Sequence, residues 1–297
     1  MKDTGSVSDW IEVIRIFGLP CGILPALLGG AFAHQFGYFR VFPFLFLLTG
    51  VLLVHIASNI TNEYYDVKRG IDTADQDKPS TVLAEGRISP ELALKVSRTL
   101  IIISLLGLSI YGFYTGLWGI FILAPLGMAG GYFYTAPPLQ LKFKGLGLPA
   151  NFIFLGLLIP QAVYYGLSGE LYLYGLGLSL PMSILTVAIL WSNDMRDIEA
   201  DENIITLVGL LGLHKSIYIY FFLLSLPYVL AVIYYYTGDL SALIFLQLFT
   251  LPVAGRLAKA GWDGVKNNYQ KLSHLDERTA VLMVAFNLIW IISYLTV

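Results

Sequence analysis

Cysteine is almost absent from this chain. Cys21 is the only one in 297 residues, which excludes an intrachain disulfide and any metal site built on thiolates. Charge is scarce as well. Lys, Arg, Asp and Glu make up 13% of the residues against 57% hydrophobic ones, with a mean hydropathy of +0.71; an ordinary soluble domain carries ~25% charge. The expected solvent is therefore a lipid bilayer. The four histidines, His34, His55, His214 and His274, form no sequence cluster, so a histidine-centred metal site has little support. No basic run is interleaved with aromatics, so no nucleic-acid partner is expected. Residues 1–16 carry Asp3, Asp9 and Glu12 and lack a basic region leading to a small-residue cleavage site. No removable signal peptide is expected there, and the first span should remain. No polar stretch is long enough for a second domain, which leaves one membrane domain over 1–297.

What the chain has instead is apolar runs near the ~20 residues that a spanning helix needs. Hydropathy places nine of them, at 18–37, 41–62, 97–115, 117–136, 150–168, 171–192, 216–236, 240–257 and 279–297, an all-α integral membrane protein. With a cytoplasmic N-terminus, the segments 63–96, 137–149, 193–215 and 258–278 share the cytoplasmic side. Every Lys and Arg except Arg40, 17 of 18, then lies on or at the edge of that side, as the positive-inside bias requires. Acidic residues follow, with only Glu170 and Asp239 opposite. The working surface is expected on the cytoplasmic face of a cell membrane.

Two polar motifs stand at equivalent depths on that face. Asn62-Glu63-Tyr64-Tyr65-Asp66 ends the second span and Asn193-Asp194-Met195-Arg196-Asp197 ends the sixth, both reading Asn-acid-x-x-Asp. Their separation by four spans suggests a parallel duplication of a four-helix unit. Residues four apart share a helix face, so Asn62 is expected beside Asp66, and Asn193 beside Asp197 and Asp201, with Asp194 close by. Clustered carboxylates repel unless a cation neutralises them, and Asp and Asn oxygens suit Mg2+ shared with a phosphate. Lys68, Arg69 and Arg196 supply bases that can meet phosphate oxygens. The pattern points to a Mg2+-bridged diphosphate held between two patches, with ionisation of an allylic C–O bond as the chemistry. The resulting cation needs aromatic faces and exclusion of water, and Tyr64, Tyr65, Tyr132, Phe133 and Tyr134 lie near that boundary. Asp75, Asp77, Glu199 and Glu202 read as solvated loop acids. Lys142 and Lys144 read first as orientation signals, with diphosphate contact open to both. His55, one heptad before Asn62, is expected to make a helix-to-helix hydrogen bond.

These segments resemble the UbiA superfamily of intramembrane aromatic prenyltransferases over nearly the whole chain. Asn59-Ile-Thr-Asn-Glu-Tyr-Tyr-Asp-Val-Lys-Arg-Gly-Ile-Asp72 is similar to the first Asp-rich motif in the spacing of the menaquinone branch, and Asn193 to Asp201, continued by Thr206-Leu207 and Leu211-Gly212, is similar to the second. Between them, Tyr134-Thr-Ala-Pro-Pro-Leu-Gln-Leu-Lys-Phe-Lys-Gly-Leu-Gly147 resembles the family's Tyr-Thr-x-x-Pro segment and the turn after it. The motif regions are 59–78 and 193–207. The resemblance implies a nine-helix bundle, Mg2+, a polyprenyl diphosphate donor and a small aromatic acceptor, with 1,4-dihydroxy-2-naphthoate preferred. By it, Asn62, Asp66, Asp72, Asp194, Asp197 and Asp201 hold the metal, and Arg15, Lys68, Arg69, Lys142 and Arg196 meet the diphosphate. Tyr134 and Thr135 would stand near the reacting carbon, where Asp66 and Asp197 act. The chain departs from the pattern at Asp201-Glu-Asn-Ile-Ile-Thr206, which lacks the usual Gly-Lys pair, at Leu148-Pro149, where an acid is common, and at Ile16, where Pro is common. Geranylgeranyl transfer to a glycerol phosphate lipid precursor or to another quinone precursor is the alternative in the same class; secondary transport is the alternative in another, disfavoured because the acids sit at one face rather than the midplane.

Overall fold

Backbone amides cannot find water inside a bilayer, so apolar segments satisfy them within helices, and the chain is all helical. The structure, a computed structural model, describes residues 4–71, 73, 80–198, 204–266 and 269–297. The helices in chain order are α1 (Val7–Ile14), α2 (Pro20–Gln35), α3 (Val41–Lys68), α4 (Pro90–Thr115), α5 (Ile120–Tyr132), α6 (Gly147–Ser168), α7 (Leu173–Arg196), α8 (Leu213–Tyr236), α9 (Ala242–Lys266) and α10 (Tyr269–Leu295). Seven of them, α3, α4 and α6 to α10, are long and apolar enough to cross a membrane; α1 and α2 together make an eighth if counted as one bent span.

Three segments differ from the expected spans for local reasons. The first, expected at 18–37, is the helix α2 preceded by a further helix, α1, and the two meet at a bend of 52°. Ser6 and Asp9 cap α1 reciprocally, Arg15 ends it in the left-handed region (φ 54°), and Pro20 begins α2, where a missing amide hydrogen costs nothing. Next, the expected span at 117–136 is only 13 residues of helix, α5, shorter than a bilayer crossing needs. In α6, residues Phe152–Leu158 widen into a π turn just before Pro160, whose ring nitrogen cannot donate to the helical ladder. A Cβ on Gly156 would stand 2.0 Å from Ser183 Oγ, so only glycine permits α6 to approach α7 this closely.

The helices fall into two groups that meet along α6. α3 packs on α4, α5 and α6, while α7 packs on α6, α8 and α10, and α10 returns to α2. α7 and α10 are the most enclosed spans and α4 the most exposed. Phe42, Phe113, Trp118 and Phe249 are all more than half exposed, which is stable where the surroundings are hydrocarbon. α3 runs six residues past the expected end at 62, so the whole Asn62-to-Asp66 motif is helical.

Candidate active site

Between these two groups lies a cavity of about 350 Å3. Along α3 its wall runs from Leu47 to Asn62, 15 residues and therefore about 22 Å of helix axis. The deep part is apolar, walled by Leu108, Ile120, Leu123, Ala124 and Leu158; the other end is polar and presents Asn62, Lys142, Asn193, Asp194 and Asp276. One chamber thus touches both Asn-acid-x-x-Asp motifs and continues as a greasy groove through most of the span.

The first motif is held by the segment after α5. Thr135, fully buried, donates its hydroxyl hydrogen to Asn62 Oδ1 at 2.9 Å. Lys142 Nζ donates to Asp66 Oδ2 at 2.7 Å, and Asp66 is only 2% exposed. The segment folds back because Gln140 takes a left-handed conformation and Lys142 N donates to Tyr134 O at 2.8 Å. That places Tyr134, Lys142 and Gly147 on the cavity together. Asp66 Oδ1 is buried without a hydrogen bond among the described residues, a free hard oxygen beside a cation.

The second motif closes on one guanidinium. Arg196 donates from Nε and Nη2 to the two oxygens of Asp197 at 2.8 and 2.9 Å, from Nη2 to Asn193 Oδ1 at 2.7 Å, and from Nη1 to Asp276 Oδ2 at 2.7 Å. Asn193 Nδ2 donates to Asp197 Oδ2 at 3.2 Å, and Tyr269 donates its hydroxyl to the Arg196 carbonyl. This planar fork is the geometry at which Arg surpasses Lys. Asp276, in the first turn of the α-helical stretch Leu275–Leu295 of α10, is buried and lines the cavity, with Oδ1 lacking a hydrogen bond among the described residues. It was not expected from the sequence, where a lone Asp in a first helical turn reads as a dipole partner.

Several expectations change. Asn193 and Asp197 do meet, with α7 ending at Arg196 and Asp197 as its cap. Asp201, Asp72, Asp75, Asp77, Glu199 and Glu202 lie outside the described residues. Lys142 is an ion-pair partner of Asp66 and more than an orientation signal, whereas Lys144 Nζ donates to the Pro138 carbonyl. Lys68 stands over the Tyr64 ring at 5.5 Å and Arg69 over the Phe143 ring at 4.0 Å, and neither lines the cavity. Arg15 does line it, with Nε buried and lacking a hydrogen bond among the described residues. Of the expected aromatics only Tyr134 faces the chamber; Phe17 and Phe154 join it, and Tyr64, Tyr65, Tyr132 and Phe133 do not. Thr135 sits behind Asn62 rather than on the cavity surface.

No three His, Cys, Asp or Glu side chains cluster into a self-sufficient metal site among the described residues. That suits Mg2+, which takes one or two carboxylates and fills its octahedron with water and phosphate oxygens. The unpartnered oxygen of Asp66 and the amide oxygens of Asn62 and Asn193 are the right donors.

The UbiA prenyltransferase family matches residues 23–275. The chain is 28% identical over 243 residues to 1,4-dihydroxy-2-naphthoate octaprenyltransferase of Bacillus subtilis (strain 168), covering 81% of this chain and 78% of that one. It is 30% identical over 258 residues to UbiA prenyltransferase domain-containing protein 1 of Danio rerio, covering 82% and 73%. Among solved structures, a UbiA homolog from Archaeoglobus fulgidus bound to DMAPP and Mg2+ superposes with a TM-score of 0.60 at 16% identity, over 95% of this chain and 99% of that one.

Proposed function

This chain belongs to the UbiA prenyltransferase family and is a membrane prenyltransferase, and on that premise we propose that it transfers a polyprenyl group from a polyprenyl diphosphate to 1,4-dihydroxy-2-naphthoate, a step of menaquinone biosynthesis. The observation that carries this reading is the single chamber that joins both motifs at its polar end and continues as an apolar groove along about 22 Å of α3. A diphosphate belongs at the first and an isoprenoid tail along the second. The naphthoate is favoured by the name of the Bacillus relative and by the Gly70-Ile71-Asp72 spacing after Asp66.

In this proposal Asn62, Asp66, Asp194 and Asp197, with Asp72 and Asp201, hold Mg2+. When bound, the metal supplies charge neutralisation of the leaving diphosphate. Lys142 and Arg196 add fixed positive charge beside that group, with Arg15, Lys68 and Arg69 as further phosphate contacts. The donor C–O bond breaks with its electron pair leaving on the diphosphate; the acceptor ring carbon that bears the carboxylate supplies the pair for the new C–C bond, and its bond to the carboxylate then breaks, releasing CO2 and returning that pair to the ring. The Tyr134 and Phe154 faces stabilise positive charge on the allylic carbon, and the apolar walls keep water from capturing it. The proposal includes nine crossing segments, the ninth being 117–136, where the turns at both ends of the 13-residue α5 complete the crossing, and a cytoplasmic N-terminus and active site in the cell membrane, supported by the 17-to-1 partition of basic residues.

The test is turnover by the purified full chain in detergent with Mg2+, geranylgeranyl diphosphate and separate acceptors, following pyrophosphate and prenylated product by mass spectrometry. Product with the dihydroxynaphthoate is expected. Product only with a hydroxybenzoate or a glycerol phosphate lipid would retain the chemistry and reject this acceptor.

A further inference from the structure

His55 sits in the middle of α3, within membrane-spanning sequence, and lines the chamber. An ionisable side chain in the bilayer is costly and calls for a partner. A hydrogen bond to a neighbouring helix was the expected one, yet among the described residues none joins the imidazole to a side chain or a carbonyl. The ring is also closely backed: a Cβ on Gly22 of α2 would lie 3.1 Å from Nδ1, so glycine there leaves the imidazole the room it occupies.

The position has a chemical logic. His55 lies seven residues before Asn62, two helical turns or about 10 Å deeper on the same face. Arg15, Cys21 and Asn59 border the cavity beside it, and Asn59 Nδ2 is committed to the Ile14 carbonyl at 2.8 Å. The stretch of wall from Leu123 to Gly127 of α5 is apolar. The chamber therefore has a flank fit for a prenyl tail and a flank carrying an imidazole. A neutral imidazole offers one donor and one acceptor, and a phenolic hydroxyl complements either.

Resting on the function proposed above, we propose that His55 recognises the acceptor by exchanging a hydrogen bond with a ring hydroxyl, on the α2 flank of the chamber, one layer beneath the diphosphate. The hydroxyl satisfies an imidazole to which none of the described residues hydrogen-bonds, and the bond turns the electron-rich ring toward the donor carbon.

The experiment compares 1,4-dihydroxy-2-naphthoate with 1-hydroxy-2-naphthoate and 4-hydroxy-2-naphthoate as substrates or competitive inhibitors of the wild-type chain and of His55→Leu, His55→Gln and Gly22→Ala. In the wild type, removal of one hydroxyl weakens binding by about tenfold, the value of one hydrogen bond. His55→Leu binds the parent about tenfold more weakly and no longer distinguishes it from that analogue, while the KM for geranylgeranyl diphosphate is unchanged. His55→Gln recovers part of the discrimination. Gly22→Ala keeps the imidazole but crowds it, and serves if the leucine variant does not fold; it raises the acceptor KM alone. Discrimination that survives in His55→Leu, or a donor KM that rises in parallel, overturns the inference. If the wild type prenylates a different phenol, the naphthoate assignment fails by itself and the same comparison on that phenol and its deoxy analogue decides His55; absence of turnover with any phenol overturns both.

Discussion

Thr135 and Asn62, 73 residues apart, are joined by a 2.9 Å hydrogen bond from the threonine hydroxyl to the amide oxygen, wholly out of contact with water at the threonine end. The bond orients the Asn62 amide at the polar end of the chamber. Thr135→Val leaves that oxygen without its donor, at a cost of ~1–3 kcal/mol. A fall of roughly tenfold in kcat/KM for the donor is expected, with Thr135→Ser near wild type; steady-state kinetics on the three proteins checks it.

Lys142 and Asp66 form the other link between the same segment and α3, with the carboxylate almost fully buried. Removing one member of such a pair strands the other charge and costs ~3–5 kcal/mol. Lys142→Met should lower the melting temperature and abolish measurable turnover, whereas Lys142→Met combined with Asp66→Asn should regain stability without activity. Thermal denaturation beside the turnover assay separates the two effects.

Asp276 should matter as much as the residues of the second motif, although it lies 80 residues beyond Arg196 in sequence. Asp276→Ala frees one branch of the Arg196 fork and leaves a buried guanidinium short of an acceptor. Loss of at least tenfold in kcat/KM is expected, on the scale of ~1.5–3 kcal/mol for a hydrogen bond to a charged group. Asp276→Asn, which keeps an acceptor oxygen, should be less damaged; kinetics of both variants against a constant donor concentration tests the order.

The apolar end of the groove should set donor length. Ala124 lines it from α5, and Ala124→Phe places an aromatic ring in the path of the tail. Overpacking a formed cavity costs ~1–3 kcal/mol, borne by a long donor and not by a short one. Competition between geranyl and geranylgeranyl diphosphates should shift toward the shorter chain; an unchanged ratio would place the tail elsewhere.

Much of this site is legible in the residues. Asn62 and Asp66, and Asn193 and Asp197, are spaced as one helix face requires, and Asn62 and Asn193 do meet on one chamber, while Asp66 and Asp197 stand behind it on Lys142 and Arg196. The rest depends on tertiary placement. Arg15 gives no sign in a sequence that it will adopt a left-handed conformation and end a separate helix ahead of the first span. The end of α7 at Arg196 is hidden because Ile198 and Glu199 are acceptable in a helix. Asp276 and His55 acquire their place only once α10 and α3 are set beside the cavity, where Asp276 meets Arg196 and His55 meets no hydrogen-bond partner among the described residues.

The central claim is that both motifs hold one Mg2+-diphosphate. It is tested most directly by the thermal stabilisation that geranylgeranyl thiolodiphosphate, a slowly reacting donor analogue, confers with and without Mg2+ on the wild type, Asp66→Asn, Asp194→Asn and the double variant. A ligand at 100 times its dissociation constant stabilises by ~2.7 kcal/mol. The account expects a Mg2+-dependent shift in the wild type that either single substitution largely removes and the double removes little further, because the two effects are coupled through one ligand. A full Mg2+-dependent shift in either single variant would contradict it.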